Sequence, residues 1–120
     1  MTQENKELLL KDLCARLPYG VKMSVNGNVE VLQGINIVDN IVEYSSFLAS
    51  EIEDCKPYLF PLSSMTEEQE KEYNNLNCYE LGCFPHSEEA LDYLTKNHFD
   101  YRYLIEKGLA IDATGLNIYF

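Results

Sequence analysis

Apolar residues recur at helical spacing near the start of the chain. Leucine or cysteine occupies positions 8, 9, 10, 13, 14 and 17, a spacing of three and four residues that lies on one face of an α-helix. The pattern predicts an amphipathic helix over residues 3–17 with its apolar stripe on the core. Pro18 is predicted to end this helix, because proline lacks the amide that a helix interior needs.

Two acid–base pairs lie four residues apart on the predicted helix. Glu7 precedes Lys11, and Asp12 precedes Arg16. An acid nearer the helix start is the favourable order on a solvent-exposed face, where such a pair contributes a few tenths of a kcal/mol. Both pairs are therefore predicted to be exposed and structural.

The apolar period changes to two after the helix. Residues 21–25 alternate between apolar and polar, and the alternation resumes over residues 29–31 beyond Asn26-Gly27. An Asn-Gly pair accommodates the positive φ angles of a type I′ turn, whose twist matches that of two antiparallel strands. This stretch predicts a β-hairpin.

A second hairpin is predicted directly after the first. The apolar run 35–38 and the run 41–44 are separated by Asp39-Asn40, a pair that favours a turn. Gly34 is predicted to mark a bulge in the long middle strand. The two hairpins together predict a three-stranded antiparallel β-meander.

Two prolines restrict the segment after the meander. Pro57 and Pro61 enclose Tyr58-Leu59-Phe60, and proline cannot donate a hydrogen bond to a neighbouring strand. The stretch 57–61 is predicted to be a short edge strand or an extended segment.

Two helices are predicted in the second half of the chain. Thr66 followed by Gln69 fits a capping box, and it opens a glutamate-rich helix with Tyr73 and Leu76 on the inner face. Ser87 is predicted to cap a second helix, whose inner face is formed by three residues: Ala90, Leu91 and Leu94.

A third, short helix is predicted from Tyr101 to Lys107. Asp100 supplies the cap, and Gly108 supplies the left-handed residue that stops the helix. The elements together predict one small α+β domain over residues 1–120, with an N-terminal helix, a three-stranded antiparallel β-meander and two to three C-terminal helices.

The composition of the chain also predicts the cellular compartment of the protein. The chain begins without the basic and apolar segments of an export signal, and no run approaches the roughly 20 apolar residues that span a bilayer. A soluble, cytoplasmic protein without a membrane partner is predicted, and its four cysteines are expected to remain thiols. No phosphate-binding loop or cofactor motif is present in the sequence, so no cofactor is predicted.

The acidic charge is concentrated in one stretch. The whole chain has a net charge of −11, which argues against a nucleic-acid backbone as a direct partner. Residues 51–92 contain eleven acidic and two basic residues, a net charge of −9. The predicted partner surface in this stretch comprises Glu67, Glu68, Glu70, Glu72, Tyr73 and Tyr79.

Four residues form the best candidate metal site. Cys78, Cys83, His86 and His98 are thiol and imidazole side chains, the usual ligands of structural zinc. Their spacing is not one of the common zinc-finger spacings, and buried or partly exposed thiols beside unrelated histidines explain the pattern better. The site residues are therefore predicted to include no catalytic group and no metal, with these four as the zinc alternative.

Three stretches carry a resemblance to a known group of proteins. Residues 12–21, 56–68 and 99–110 resemble small uncharacterised proteins of gut Bacteroides-type bacteria and of their phages or mobile elements. The resemblance implies an intracellular accessory protein, and it carries over no catalytic residue.

Three hypotheses for the function arise from the sequence. The first is a non-enzymatic protein-interaction module that offers its acidic, tyrosine-bearing surface to a basic protein. The second is an acidic nucleic-acid mimic that occupies the site of a DNA-binding protein. The third is a small zinc protein or enzyme built on Cys78, Cys83, His86 and His98.

Overall fold

The computed structural model describes residues 1–76 and 88–119. Helix α1 (Gln3–Arg16) begins after Thr2, whose hydroxyl oxygen accepts a hydrogen bond from the Asn5 amide at 3.1 Å. Its inner face buries Leu9 and Leu13 completely. The predicted helix is confirmed to within one residue.

The first hairpin joins β1 (Lys22–Val25) to β2 (Asn28–Asn36). Asn26 and Gly27 between the strands have φ angles of 51° and 83°. Positive φ at both central residues is what a type I′ turn requires, so the predicted turn is confirmed.

The second hairpin joins β2 to β3 (Ile41–Tyr44), and the register shifts between Leu32 and Gly34. This shift is the predicted bulge. Strand β4 (Ala49–Glu51) pairs with β3 in an antiparallel manner and extends the sheet beyond the predicted meander.

Strand β5 (Cys55–Pro61) corrects the prediction of a short edge strand. It is antiparallel to β1 and parallel to β6 (Phe99–Asp100) and β7 (Ile111–Asp112). The Phe60 amide donates to the carbonyl of His98, and the Leu59 carbonyl accepts from the amide of Ala113, both at 2.8 Å. Because these bonds use residues between the two prolines, the missing proline amides do not prevent pairing.

The sheet of the described residues has seven strands in the order β4-β3-β2-β1-β5-β6, with β7 paired to β5. The predicted α+β class is therefore confirmed, whereas the prediction of a three-stranded meander is wrong. The meander is one part of a mixed sheet. Strands β6 and β7 have two residues each, too few for an alternating pattern to show in the sequence.

Two helices of the second half are present. Helix α2 (Glu67–Leu76) begins with the predicted capping box, in which the Thr66 amide donates to Gln69 Oε1 and the Gln69 amide donates to Thr66 Oγ1. Tyr73 is half-buried. Helix α3 (Glu88–Lys96) buries Ala90 and Leu94 completely, while its predicted cap, Ser87, lies outside the described residues.

The predicted helix from Tyr101 to Lys107 is wrong. This segment forms turns, and Tyr103 has a left-handed φ of 59° that a helix cannot contain. The Asp100 carboxylate still accepts hydrogen bonds from the amides of Leu104 and Ile105, both at 2.9 Å. Gly108 has the expected left-handed φ of 73°.

The main core lies between α1 and the sheet. Its fully buried members include Leu9 and Leu13 from the helix, Met23 and Leu59 from the sheet, and Leu104 from the turn segment. Across residues 1–76 and 88–119, none of the helices combines the length and apolar character that crossing a lipid bilayer demands.

Candidate functional site

Helices α2 and α3 pack against each other and carry most of the described acidic residues of the stretch 51–92. The Tyr93 hydroxyl donates to the Glu72 carboxylate at 2.9 Å and joins the two helices. Burial and the neighbouring Glu72 carboxylate raise the pKa of Tyr93 to about 12. Tyr93 therefore stays a neutral donor at physiological pH.

Six carboxylates on these helices are exposed, and we call them the acidic surface: Glu67, Glu68, Glu70, Glu72, Glu89 and Asp92. None of the six forms an ion pair within the part of the chain that the structure describes. The predicted exposure of Glu67, Glu68, Glu70 and Glu72 is confirmed. Tyr73 lies half-buried beside them, whereas Tyr79 lies outside the described residues.

The acidic residues of the stretch 51–92 do not all lie together. Glu51, Glu53 and Asp54 lie on β4 and the turn after it, and β4 is at the opposite end of the strand order from β6, against which α3 packs. Glu53 is ion-paired with Lys6, which lowers the pKa of Glu53.

The four candidate zinc ligands do not all lie in the described part of the chain. Cys78, Cys83 and His86 lie outside the described residues, and His98 lies within them, directly after α3. Over residues 1–76 and 88–119, no group of histidine, cysteine and acidic side chains is arranged to hold a metal ion. The zinc site stays an untested alternative to the prediction of no metal.

A cleft of about 450 Å³ opens beside the acidic surface. Its walls come from the end of β5, the start of α2, the last residue of α3 with the segment 97–99, and the C-terminal tail. Tyr119 of the tail stacks on the imidazole of His98, with ring centroids 3.9 Å apart and an angle of 11° between the planes. The Phe60 ring packs against the same pair, with its centroid 5.8 Å from that of Tyr119.

His98 is held in an unusual state at this cleft. Its backbone has a left-handed φ of 64°, and its Nδ1 atom is enclosed without a hydrogen-bond partner among the described residues. Burial, together with the positive charges of Arg16 and Lys22, lowers the pKa of His98 to about 4. The imidazole is therefore neutral at physiological pH.

Tyr119 fixes the tail to two strands. Its hydroxyl donates to the Tyr58 carbonyl at 2.7 Å and accepts from the Lys22 amide at 2.8 Å. The Lys22 ammonium donates to the Ile118 carbonyl at 2.6 Å. Burial raises the pKa of Tyr119 above its usual value.

A buried charge network lies behind the cleft. Asp12 accepts from Arg16 Nε at 2.7 Å and from Arg102 Nη1 at 2.8 Å. Arg16 Nη2 also donates to the Phe99 carbonyl at 2.6 Å. Both guanidiniums approach the Tyr101 ring, Arg16 at 5.5 Å and Arg102 at 4.7 Å from its centroid.

This network corrects the prediction that Asp12 and Arg16 form an exposed pair. Both side chains are completely buried, because the segment 99–102 covers this part of α1 with a carbonyl, an aromatic ring and a second arginine. Glu7 and Lys11 are exposed as predicted. The two residues of each pair are four positions apart in both cases. The local sequence therefore offered no signal that distinguishes the buried pair from the exposed one.

Comparisons of the chain with protein-family models, with curated proteins and with solved structures give no match. The resemblance to proteins of Bacteroides-type bacteria and their mobile elements therefore stays a prediction. The function must be inferred from the residues of the chain itself.

Proposed function

We propose that this protein is a non-enzymatic interaction module whose acidic surface binds a basic segment of a protein partner. The observation that carries the proposal is the exposure of six carboxylates on two packed helices, none of them paired with a cation inside the described chain. Charges of one sign on two neighbouring helices steer an oppositely charged partner and help to determine its register.

The scaffold under this surface is suited to binding. The capping box fixes the start of α2, and the Tyr93–Glu72 hydrogen bond fixes α2 against α3. Helices that are held in place lose less conformational entropy when a partner binds. Half-buried Tyr73 supplies aromatic area beside the charges.

The nucleic-acid mimic is the less favoured function. A mimic needs carboxylates in a ridge spaced like phosphates, whereas the described acidic residues of the 51–92 stretch are divided between β4 with its adjoining turn and the α2–α3 pair. A protein partner needs only the six carboxylates of the acidic surface. Competition with duplex DNA for a recovered partner distinguishes the two functions.

A pair of charge-matched variants tests the proposal. The first carries E67Q, E68Q, E70Q and E72Q, and the control carries four equal changes at exposed positions elsewhere: E4Q, E7Q, E51Q and E106Q. Both variants lose the same net charge, so only the location differs. Proteins recovered from a lysate of the source cells are quantified by mass spectrometry.

We expect at least one recovered protein to be lost with the first variant and kept with the control, and its binding to weaken as salt screens the charges. Equal recovery of every bound protein by both variants would contradict the proposal. Far-ultraviolet circular dichroism confirms that α2 is intact, since glutamine and glutamate have similar helix propensities.

A further inference from the structure

The cleft beside α2 has properties of a small-molecule site that the acidic surface does not explain. Its volume of about 450 Å³ lies in the range of ligand pockets, roughly 300–1,000 Å³. The stacked rings of His98 and Tyr119, with Phe60 tilted against them, form an aromatic wall. Such a wall suits a planar, apolar body.

Three lining residues of the cleft offer unused hydrogen-bond donors, beside the acceptor oxygens of Ser64 and Asn97. Thr66 Oγ1 already accepts from Gln69, and Gln69 Oε1 already accepts from Thr66. The Thr66 hydroxyl proton and the Gln69 amide protons are left to donate. Lys96 adds an ammonium group, which has donors only.

The charge at the cleft is opposite to that of the chain. Among the described lining residues there is one lysine and no carboxylate. Behind the wall, the Lys22 ammonium lies 5.7 Å from the centroid of the Tyr119 ring. Because the one charged side chain among the described lining residues is a lysine, the cleft favours a ligand with acceptor oxygens, in contrast to the net charge of −11 of the whole chain.

We propose that this cleft binds a small aromatic carboxylate, with its ring against the Phe60–His98–Tyr119 wall and its carboxylate at Lys96. The ring would lose water as it packs on the wall, and the carboxylate would gain the charge-assisted hydrogen bonds that Lys96 and Thr66 offer. The six carboxylates of the acidic surface do not line the cleft. Ligand binding here is separate from binding of a protein at the acidic surface.

Two-dimensional NMR titration of the full chain tests the proposal with a pair of probes. The first probe is 2-naphthoate, and the second is 2-naphthalenemethanol, which keeps the ring system and removes the charge. We expect naphthoate to shift the signals of the cleft residues and to bind about tenfold more tightly than the alcohol, the ratio typical of one charge-assisted hydrogen bond.

Two variants distinguish the contribution of the Lys96 charge to probe binding from that of the aromatic wall. Lys96→Met is expected to abolish the preference for naphthoate over the alcohol, whereas Lys11→Met, at an exposed position on α1, is expected to keep it. His98→Asn is expected to weaken both probes alike, because it removes the stacked ring while asparagine tolerates the left-handed backbone.

Any of four results would overturn the proposal. They are equal affinity for the two probes, an unchanged preference in the Lys96→Met protein, and shifts that spread outside the cleft or are missing at millimolar probe. The amide spectrum of each variant reports whether it folds, so a loss of binding is assigned to the cleft only in a folded protein.

Discussion

Asp12 and Arg16, one helical turn apart on α1, form a completely buried ion pair with Arg16 Nε 2.7 Å from Asp12 Oδ2. Taking both charges out of water costs free energy that their attraction and hydrogen bonds must offset. Arg102 adds a second guanidinium at 2.8 Å from the other Asp12 oxygen. The carboxylate therefore holds two cations in place, and removing it leaves both without their carboxylate partner.

Asp12→Ala is expected to lower the free energy of unfolding by about 3–5 kcal/mol, since it leaves the buried Arg16 charge uncompensated. Urea unfolding followed by circular dichroism measures the loss. Glu7→Ala is the matched control, because Glu7 has the same spacing to a cation on the same helix but is exposed. Its cost is expected to be below about 0.5 kcal/mol, and equal losses in the two variants would contradict the structure.

His98 makes stability depend on pH. Its pKa of about 4 in the folded chain lies below the roughly 6.5 of an unfolded histidine, so between these values the unfolded chain binds the extra proton. The free energy of unfolding is not reduced by this group above pH 6.5, where the imidazole is neutral in both states, and it falls as the pH is lowered toward 4. Because the ring is partly exposed, we expect a loss of about 1–2 kcal/mol.

Urea unfolding of the natural chain and of His98→Asn at several pH values isolates this contribution. Carboxylates titrate alike in both proteins, so they cancel in the difference. The difference in unfolding free energy should change between pH 6.5 and pH 4 and stay constant above pH 7. A difference that is constant over the whole range would show that the imidazole is not held neutral by the fold.

The Tyr119 hydroxyl is expected to stabilise the attachment of the tail. Tyr119→Phe leaves the Lys22 amide and the Tyr58 carbonyl without this hydroxyl as a partner, which costs about 1–3 kcal/mol when such groups are buried. Tyr103→Phe is the control, because that side chain is 57% exposed. Thermal unfolding that responds equally to both changes would rule out a special role of Tyr119.

The Thr66 hydroxyl is expected to stabilise the first turn of α2. Thr66→Ala removes the hydroxyl that accepts from the Gln69 amide and costs about 1 kcal/mol, and Thr66→Ser should restore most of it. Hydrogen exchange of the α2 amides is the measurement. Ser63→Ala, at a nearby exposed position, should leave the exchange rates of the α2 amides unchanged. Equally fast exchange of these amides in the Ser63→Ala protein would contradict a specific role of the Thr66 cap.

The predictions from sequence succeeded where neighbouring residues decide the structure. The helix over residues 3–17, the Asn26-Gly27 turn and the Thr66–Gln69 capping box depend on contacts within a few residues, and all three are confirmed. The Gly34 bulge, which also depends on a local backbone preference, is confirmed by the register shift between Leu32 and Gly34. Periodicity and backbone preference act over one turn or one strand, so they can be read from the chain itself.

The candidate sites were predicted less completely. The exposure of the α2 glutamates results from a helix that is polar on most of its surface, and it was predicted. The cleft was not, because its aromatic wall combines residues from β5, from the segment after α3 and from the tail. No spacing rule connects Phe60, His98 and Tyr119, which are brought together by parallel pairing of β5 with short strands far along the chain.

The sequence by itself determined α1, the two hairpins, the capping box of α2, the α+β class and the excess of acidic residues. Only the tertiary structure decided which acid–base pair of α1 is buried, which carboxylates share a surface and which aromatic rings form a cleft. The physical reason is that burial and electrostatic environment are set by the segments that cover a residue. Asp12 and Glu7 have the same local pattern, and the segment 99–102 covers only Asp12.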